Sequence, residues 1–334
     1  MIFESLPTTP RSEELIDKAF SRAARSGRAK SGVEAQQSML QTAGNILSDN
    51  LENVVTEWPD FGVVDPFYRE LADAVLRRET ATRTAEDGTE QAGLDALRAS
   101  LSEVTWASRQ IEELQREYNP KLRKTEPETA RKHRKQAFAR MADVVEEIED
   151  DLLRVGEARD ALRDLPDIRP DEPTIVVAGY PNVGKSSFVN AVTRADNEIA
   201  RYPFTTRRIG IGHFERDHIR YQIIDTPGLL DRPETERNDI ESQAVSALGH
   251  LADAVLFVVD ASEACGYPLA AQLDLRDAVV ERFDAPVVTV CNKSDRSRDV
   301  DADAYMSVTA GENVGEVLDL AVETVDWEPD LPSR

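Results

Sequence analysis

Cysteine is nearly absent: Cys265 and Cys291 are the only two among 334 residues, in no spacing that would ligate a metal. Two isolated thiols exclude a disulfide framework and fit buried, reduced side chains of a cytoplasmic protein. Aromatic residues make up 6% of the chain. No apolar run approaches the ~20 residues that a membrane span needs, so no membrane partner is expected. The opening residues, Met1-Ile2-Phe3-Glu4-Ser5-Leu6-Pro7, lack the basic stretch and apolar run of a secretory signal. Lysine is scarce as well, 8 of the 40 basic residues, and 63 acids bring the net charge to −23. An acidic surface poor in lysine suits a salt-rich, halophilic cytosol, where self-repulsion is screened. A high-GC codon bias toward arginine would leave the same trace. Screening also means that the charge excludes no nucleic-acid partner.

The chain changes character near residue 165. Before it, apolar residues recur at helical spacing, as in Leu40, Ile46, Leu47, Leu51 and Val54, or Leu94, Leu97, Leu101 and Val104. Pro59, Pro66, Pro120 and Pro127 punctuate this half, and Thr9-Pro10-Arg11-Ser12 with Glu13 and Glu14 reads as a helix start. Residues 1–165 are therefore expected to form an all-α bundle of four to six helices. Three prolines within Leu165–Pro173 make residues 166–173 a stiff linker. Residues 174–334 alternate short β-branched runs with helical stretches. Strands are predicted at Thr174–Ala178, Ile209–Phe214, Arg220–Ile224, Ala254–Val259, Pro286–Cys291 and Tyr305–Val308, with helices near 185–194, 235–250, 268–283 and 314–325. Such alternation predicts an α/β domain with a doubly wound, mostly parallel sheet.

The first of these strands runs into Gly179-Tyr180-Pro181-Asn182-Val183-Gly184-Lys185-Ser186-Ser187 and then a helix, the strand–loop–helix context that gives GxxxxGKS its meaning. Backbone N–H groups of such a loop surround phosphates, Lys185 reaches the β- and γ-phosphates, and the Ser186 hydroxyl ligates Mg²⁺. Asp225-Thr226-Pro227-Gly228 ends a later strand with DxxG. Asp225 there can hold Mg²⁺ through water, and the Gly228 N–H can sense the γ-phosphate. The base is chosen by Asn292-Lys293-Ser294-Asp295, an NKxD motif. A carboxylate at Asp295 accepts from the guanine ring N–H and exocyclic amine. Against adenine, which lacks that donor pair, a buried Asp295 would be unpaired. GTP and GDP, not ATP, are the expected ligands. Asn292 would tie this loop to the phosphate loop and the Lys293 stem would cover the base.

Arg201-Tyr202-Pro203-Phe204-Thr205-Thr206-Arg207 stands where a switch loop is expected, with Thr206, or else Thr205, as a further Mg²⁺ ligand. Ser307-Val308-Thr309-Ala310-Gly311 is similar to the SAxxG loop whose backbone N–H meets the guanine oxygen, with valine in place of alanine. Leu229 follows Gly228 where Ras-like enzymes carry a water-orienting glutamine, so hydrolysis is expected to be slow or assisted. Asn182, three residues before Lys185, occupies the place that holds asparagine in potassium-activated GTPases. Its amide oxygen could place K⁺ beside the phosphates; an asparagine that only shapes the loop is the alternative.

With these motifs in place, the chain resembles the nucleolar GTP-binding protein family (Nog type), in the Obg–HflX class. The resemblance lies in Asp225–Asn238 and its continuation to Leu251, in Asp260-Ala-Ser262-Glu263-Ala-Cys265-Gly266-Tyr267, and in Pro7-Thr8 with Glu14–Ala23. It implies a helical bundle followed by a GTPase domain and, from the eukaryotic members, a role in large ribosomal subunit assembly. The long basic extension of those members has no counterpart before Arg334, as in an archaeal form. The residues add an argument for an RNA partner. Residues 118–140 carry Lys121, Arg123, Lys124, Arg131, Lys132, Arg134, Lys135 and Arg140 against only Glu126 and Glu128, and Arg22, Arg25, Arg28 and Lys30 form a second cluster. Segments 121–140 and 22–30 thus offer phosphate-backbone contacts to rRNA or a large-subunit precursor. Solvated helix faces paired with neighbouring acids are the plainer alternative. A signalling switch with a protein partner and no RNA is the competing function. A monomer is the expected state.

Overall fold

The computed structural model describes residues 3, 5–85, 87–163, 165, 168–193, 198–200, 209–226, 230 and 239–325. The chain divides into two compact units: Met1–Gly62 with Val75–Arg163, and Val63–Ala74 with Asp164–Arg334.

The first half forms helices α1 (Ser12–Arg28), α2 (Gly32–Thr56), α3 (Pro66–Glu79), α4 (Gly93–Arg123), α5 (Pro127–Glu147) and α6 (Glu149–Arg163). A two-residue hairpin, β1 (Arg83–Thr84) and β2 (Glu90–Gln91), lies between α3 and α4 and was not foreseen. The apolar stripes meet as their spacing requires. Leu40, Leu47 and Leu51 of α2 are fully buried, as are Val104 and Ile111 of α4 and Met141 and Val145 of α5. Each leucine so buried stabilises the bundle by about 1.5–3 kcal/mol relative to exposure. Arg83 of the hairpin is anchored between helices, its Nε 3.3 Å from Asp151 Oδ1 of α6, which also accepts from Ser100 Oγ of α4 at 2.7 Å. Pro66 and Pro127 open α3 and α5, where a missing N–H loses nothing. Pro120 does not punctuate: it sits inside α4, which continues to Arg123. So near the helix end it removes only the bond to the Arg116 carbonyl.

The second unit is built on β3 (Thr174–Ala178), α7 (Lys185–Val192), β4 (Glu198–Ala200), β5 (Ile209–Arg216), β6 (Ile219–Asp225), α8 (Asp239–Leu251), β7 (Ala254–Val259), α9 (Leu269–Arg282), β8 (Val287–Cys291), β9 (Ala304–Tyr305) and α10 (Val314–Thr324). Its sheet has the order β4-β5-β6-β3-β7-β8-β9. β3 is central and parallel to both neighbours, Ile175 standing between Ile223 of β6 and Ala254 of β7. β5 runs antiparallel to β4 and β6. β3 and β7 are buried along their whole length, which is why they read as continuous apolar runs. The three-residue β4 was not foreseen.

Two features fasten the approach to β3. Gln222, buried within β6, accepts from the Arg169 N–H at 2.9 Å and donates to the Arg169 carbonyl at 2.5 Å and to Thr174 Oγ1 at 3.1 Å. The segment Val63–Ala74 packs in this same unit. Phe67 and Leu71 are fully buried there, the Tyr68 hydroxyl donates to the Ile168 carbonyl, and His250 Nε2 of α8 lies 3.0 Å from Glu70 Oε1. Among the described residues, no helix is long and apolar enough to cross a membrane.

Candidate nucleotide site

The turn between β3 and α7 is shaped by two glycines. At Gly179 (φ +131) an added Cβ would lie 2.3 Å from the Val258 carbonyl oxygen of β7, and at Gly184 (φ +109) it would lie 2.1 Å from Asn292 Nδ2. Only glycine fits either place without backbone movement. The first N–H groups of α7 have no partner within the helix and leave the positive end of its dipole at this loop. Lys185 is buried; its Nζ donates to the Gly179 carbonyl at 2.6 Å and the Tyr180 carbonyl at 3.0 Å, which keeps the ammonium inside the turn. Val183 is buried, Pro181 half-buried, and Asn182, Ser186 and Ser187 are exposed. Asn182 holds a left-handed backbone conformation, φ 63.

The ends of β3 and β6 bring the two Mg²⁺-type motifs together. Ser186 Oγ donates to Asp225 Oδ2. Thr226 Oγ1 donates to the Val177 carbonyl at 2.8 Å, and the Gly179 N–H to the Leu230 carbonyl at 3.1 Å. A serine hydroxyl beside a buried carboxylate is an oxygen donor set that fits a hard divalent cation. Among the described residues no group of three His, Cys, Asp or Glu side chains could hold a metal by itself. Thr205, Thr206, Gly228 and Leu229 lie outside the described residues.

The NKxD loop follows β8 and is tied directly to the phosphate loop. Asn292 is buried; its Nδ2 donates to the Val183 carbonyl at 2.8 Å, and its Oδ1 accepts from the Val308 N–H at 3.2 Å. One side chain thus joins its own loop to the phosphate loop, 109 residues away in sequence, and to the Val308 loop, 16 residues on. Lys293 Nζ donates to the Asn182 carbonyl at 3.0 Å and to Asp260 Oδ2 at 2.7 Å. Asp295 is exposed, not buried, because it stands in a turn beyond the strand end. Discrimination by stranding a buried carboxylate therefore does not follow from the protein alone. Ser307 is buried and its Oγ accepts from the Ala310 N–H at 3.2 Å. The Val308 N–H, expected to face the guanine oxygen, is engaged by Asn292. Asp260, Gln272 and Tyr267, which hold this region from behind, escaped the motif reading. Asp260 and Tyr267 are signalled only by the Asp260–Tyr267 stretch of the resemblance, and Gln272 by nothing in the sequence.

In the first unit, the two basic segments fall on neighbouring helices. The rings of Phe20 (α1) and Phe138 (α5) stack at 4.4 Å, and Gly32 at the start of α2 lies beside Pro127 at the start of α5. The C-terminal end of α1 therefore lies at the N-terminal end of α5. Arg22, Arg25 and Arg28 on α1 and Arg131, Lys132 and Lys135 on α5 are exposed. Others in the segments are engaged. Lys121 and Arg140 pair with Glu117 at 2.7 and 2.9 Å, and these partners hold its carboxyl below the usual range. Lys30 pairs with Glu34 at 3.1 Å. Arg134 donates to Gln36 Oε1 at 3.0 Å and covers the Phe138 ring; burial, then the Arg131 charge, lowers its pKa.

A family model of the NOG1 N-terminal helical domain matches residues 3–85 and 88–169, and one described as 50S ribosome-binding GTPase matches residues 174–293. The chain belongs to the nucleolar GTP-binding protein 1 family. An uncharacterised protein of Methanocaldococcus jannaschii is 36% identical over 303 residues, 88% of this chain and 81% of that one. Nucleolar GTP-binding protein 1 of Saccharomyces cerevisiae is 33% identical over 266 residues, 79% of this chain and 39% of the yeast protein. That of Encephalitozoon cuniculi is 31% identical over 338 residues, 97% of this chain and 61% of its own length. The chain thus spans less than two thirds of each of these two named relatives. The solved structure of a Plasmodium falciparum nucleolar GTP-binding protein 1 is 34% identical and covers 48% of this chain and 90% of that one, with a TM-score of 0.44. Family membership makes the strand-rich region a P-loop GTPase domain preceded by the family's helical domain. The matched stretch ends at Lys293, so Asp295, Ser307 and Val308 rest on motif and geometry.

Proposed function

We propose that the chain is a GTP-binding and GTP-hydrolysing switch of the cytoplasm that acts in assembly of the large ribosomal subunit. Residues 174–334 carry the nucleotide site and residues 1–165 the contact with rRNA. The observation that carries the nucleotide reading is the position of Asn292, whose one amide holds the phosphate loop, the base loop and the Ser307–Val308 loop together. In this reading the backbone from Gly179 to Ser187 and the Lys185 ammonium bind the phosphates. Ser186 and Asp225, with Thr206, would hold Mg²⁺, whose charge would offset that of the phosphates. Asp295 accepts from guanine. Leu229 leaves the attacking water without a glutamine, and Asn182 would hold K⁺ beside the phosphates, where it would supply positive charge.

The ribosomal reading is supported by the match of residues 174–293 to the 50S ribosome-binding GTPase model and by the exposed arginines and lysines of α1 and α5, whose repulsion is relieved by phosphate. Backbone and shape recognition of folded RNA suits a surface with few aromatics. The test is sucrose-gradient sedimentation of extract at native salt with a GTP analogue or GDP. The wild type is expected to travel with a large-subunit precursor in one nucleotide state, and Arg131→Glu, Lys132→Glu, Lys135→Glu to lose that association while hydrolysing GTP. Unchanged sedimentation of the triple variant would favour a protein partner. Arg134 is left out of the reversal because its bonds within the bundle make it structural.

A further inference from the structure

Asp260 directly follows β7 and is fully buried, yet it belongs to none of the nucleotide motifs. Its Oδ1 accepts from the Ser262 N–H at 3.0 Å and the Ser262 hydroxyl at 2.5 Å. Its Oδ2 accepts from the Cys265 N–H at 2.8 Å and from Lys293 Nζ at 2.7 Å. Gln272, buried on α9, brackets the same turn: it accepts from the Asp260 N–H at 2.8 Å and donates to the Tyr267 carbonyl at 2.9 Å. At the far end of the turn the Tyr267 ring packs on Tyr180 of the phosphate loop, centroids 4.5 Å apart.

A carboxylate buried this deeply persists as an anion only when a cation and several donors face it. Burial alone would raise its pKa; the bonds from Lys293 and Ser262 outweigh burial and hold it below the ordinary value. The cation in question is shared. Lys293 reaches the Asn182 carbonyl as well, and both residues adopt left-handed backbone conformations, φ 55 and φ 63, that cost non-glycine residues free energy. Without an anion behind it, a half-exposed lysine would gain rotamer freedom by leaving that carbonyl for water.

We propose that Asp260 is a positioning residue for the guanine nucleotide: through Lys293 it locks the base-reading loop to Asn182 of the phosphate loop. The proposal rests on the guanine-nucleotide reading and makes base and phosphate recognition one rigid unit. Asp260 touches no ligand itself, and its effect passes through Lys293.

The test is the dissociation rate of fluorescently labelled GDP from the full chain, in Asp260→Asn, Lys293→Met and the double variant, with single-turnover hydrolysis at saturating GTP. Loss of one charge-assisted bond is expected to speed release by about 10- to 100-fold in each single variant. The double variant is expected to be no faster than Lys293→Met, and single-turnover hydrolysis by Asp260→Asn to stay within about threefold of wild type. Additive effects in the double variant, or unchanged release from Asp260→Asn, overturn the proposal. Should Asp260→Asn not fold, Lys293→Gln and Lys293→Arg decide. Glutamine can still donate to Asn182 but carries no charge, so it is expected to release GDP as fast as methionine, and arginine to stay near wild type. Slow release from Lys293→Gln overturns the pairing. A wild type that binds no labelled GDP contradicts the guanine reading itself, which tight but Asp260-independent binding does not.

Discussion

Removing the Asn292 amide by Asn292→Ala takes away the side chain that bonds the phosphate loop and the Ser307–Val308 loop at once. The substitution leaves the Val183 carbonyl and the Val308 N–H without their partner, bonds of 2.8 and 3.2 Å. A buried polar group stripped of its partner costs about 1–3 kcal/mol. Val183 is fully buried, but Val308 is half-exposed and can turn to water, so its share belongs at the low end. Together the two come to about 2–4 kcal/mol, or roughly 30- to 1000-fold in Kd if nucleotide binding must restore the loop arrangement. The measurement is a fluorescence titration with labelled GDP in Mg²⁺, with a melting curve to confirm the fold. A Kd within about threefold of wild type in a folded variant would refute the coupling. Asn292→Asp sharpens the result: it keeps the acceptor for Val308 but sets a carboxylate against the Val183 carbonyl, and is expected to bind no better than alanine.

Three further outcomes follow from the same structure. Gln222→Leu leaves the Arg169 N–H without its partner and takes one of two donors from the Arg169 carbonyl, which keeps the Glu172 N–H at 3.1 Å, so urea unfolding of the sheet-bearing unit is expected to show a loss of about 1–2 kcal/mol; an unchanged midpoint would mean that the clasp on the linker is redundant. Burial raises the Asp253 pKa, only partly countered by the Thr174 N–H that it accepts at 2.7 Å. An acid whose folded pKa is raised loses folding stability as pH climbs from the ordinary carboxylate range through the folded value, and the loss persists above it. Asp253→Asn is therefore expected to melt higher than wild type at neutral pH, with the gap closing in acid, where both side chains are neutral; a gap that widens in acid would be the wrong sign. Hydrolysis in KCl is expected to exceed that in NaCl at equal ionic strength, and Asn182→Ala to abolish the difference; equal rates in the wild type would remove K⁺ from the account.

Elements that alternate or run apolar were legible. Thr174–Ala178 and Ala254–Val259 stand where their β-branched runs put them, because strands buried on both faces need uninterrupted apolar sequence. What escaped was too short or too contextual. β4 and the β1–β2 hairpin span two or three residues each, below any period. Pro120 was misread because proline is tolerated near a helix end when the surrounding turns are held by packing. Nothing in the periodicity of Pro66–Glu79 signals that its first turns pack with the sheet-bearing unit. At the site, Asn292 was read from its motif together with the loop that it grips. The exposure of Asp295 was not, since a motif carries residue types but no solvent accessibility. The role of Gln222 has no trace in the sequence, because a polar residue at a strand position acquires it only from a linker that sequence distance hides; Asp260, just past β7, shows only as part of the family-like stretch, since its lysine lies 33 residues on.

The central claim is that Asp295 makes this phosphate loop a guanine site, and a swap of base and side chain tests it most directly. Xanthine carries a carbonyl where guanine carries the amine, so a carboxamide donor at Asp295→Asn matches xanthine, while the carboxylate matches guanine. Titration of both proteins with GDP, XDP and ADP should show wild type binding GDP far above the other two, and the variant exchanging GDP for XDP. Comparable affinity of the wild type for ADP, or a variant that still prefers GDP, would contradict the account.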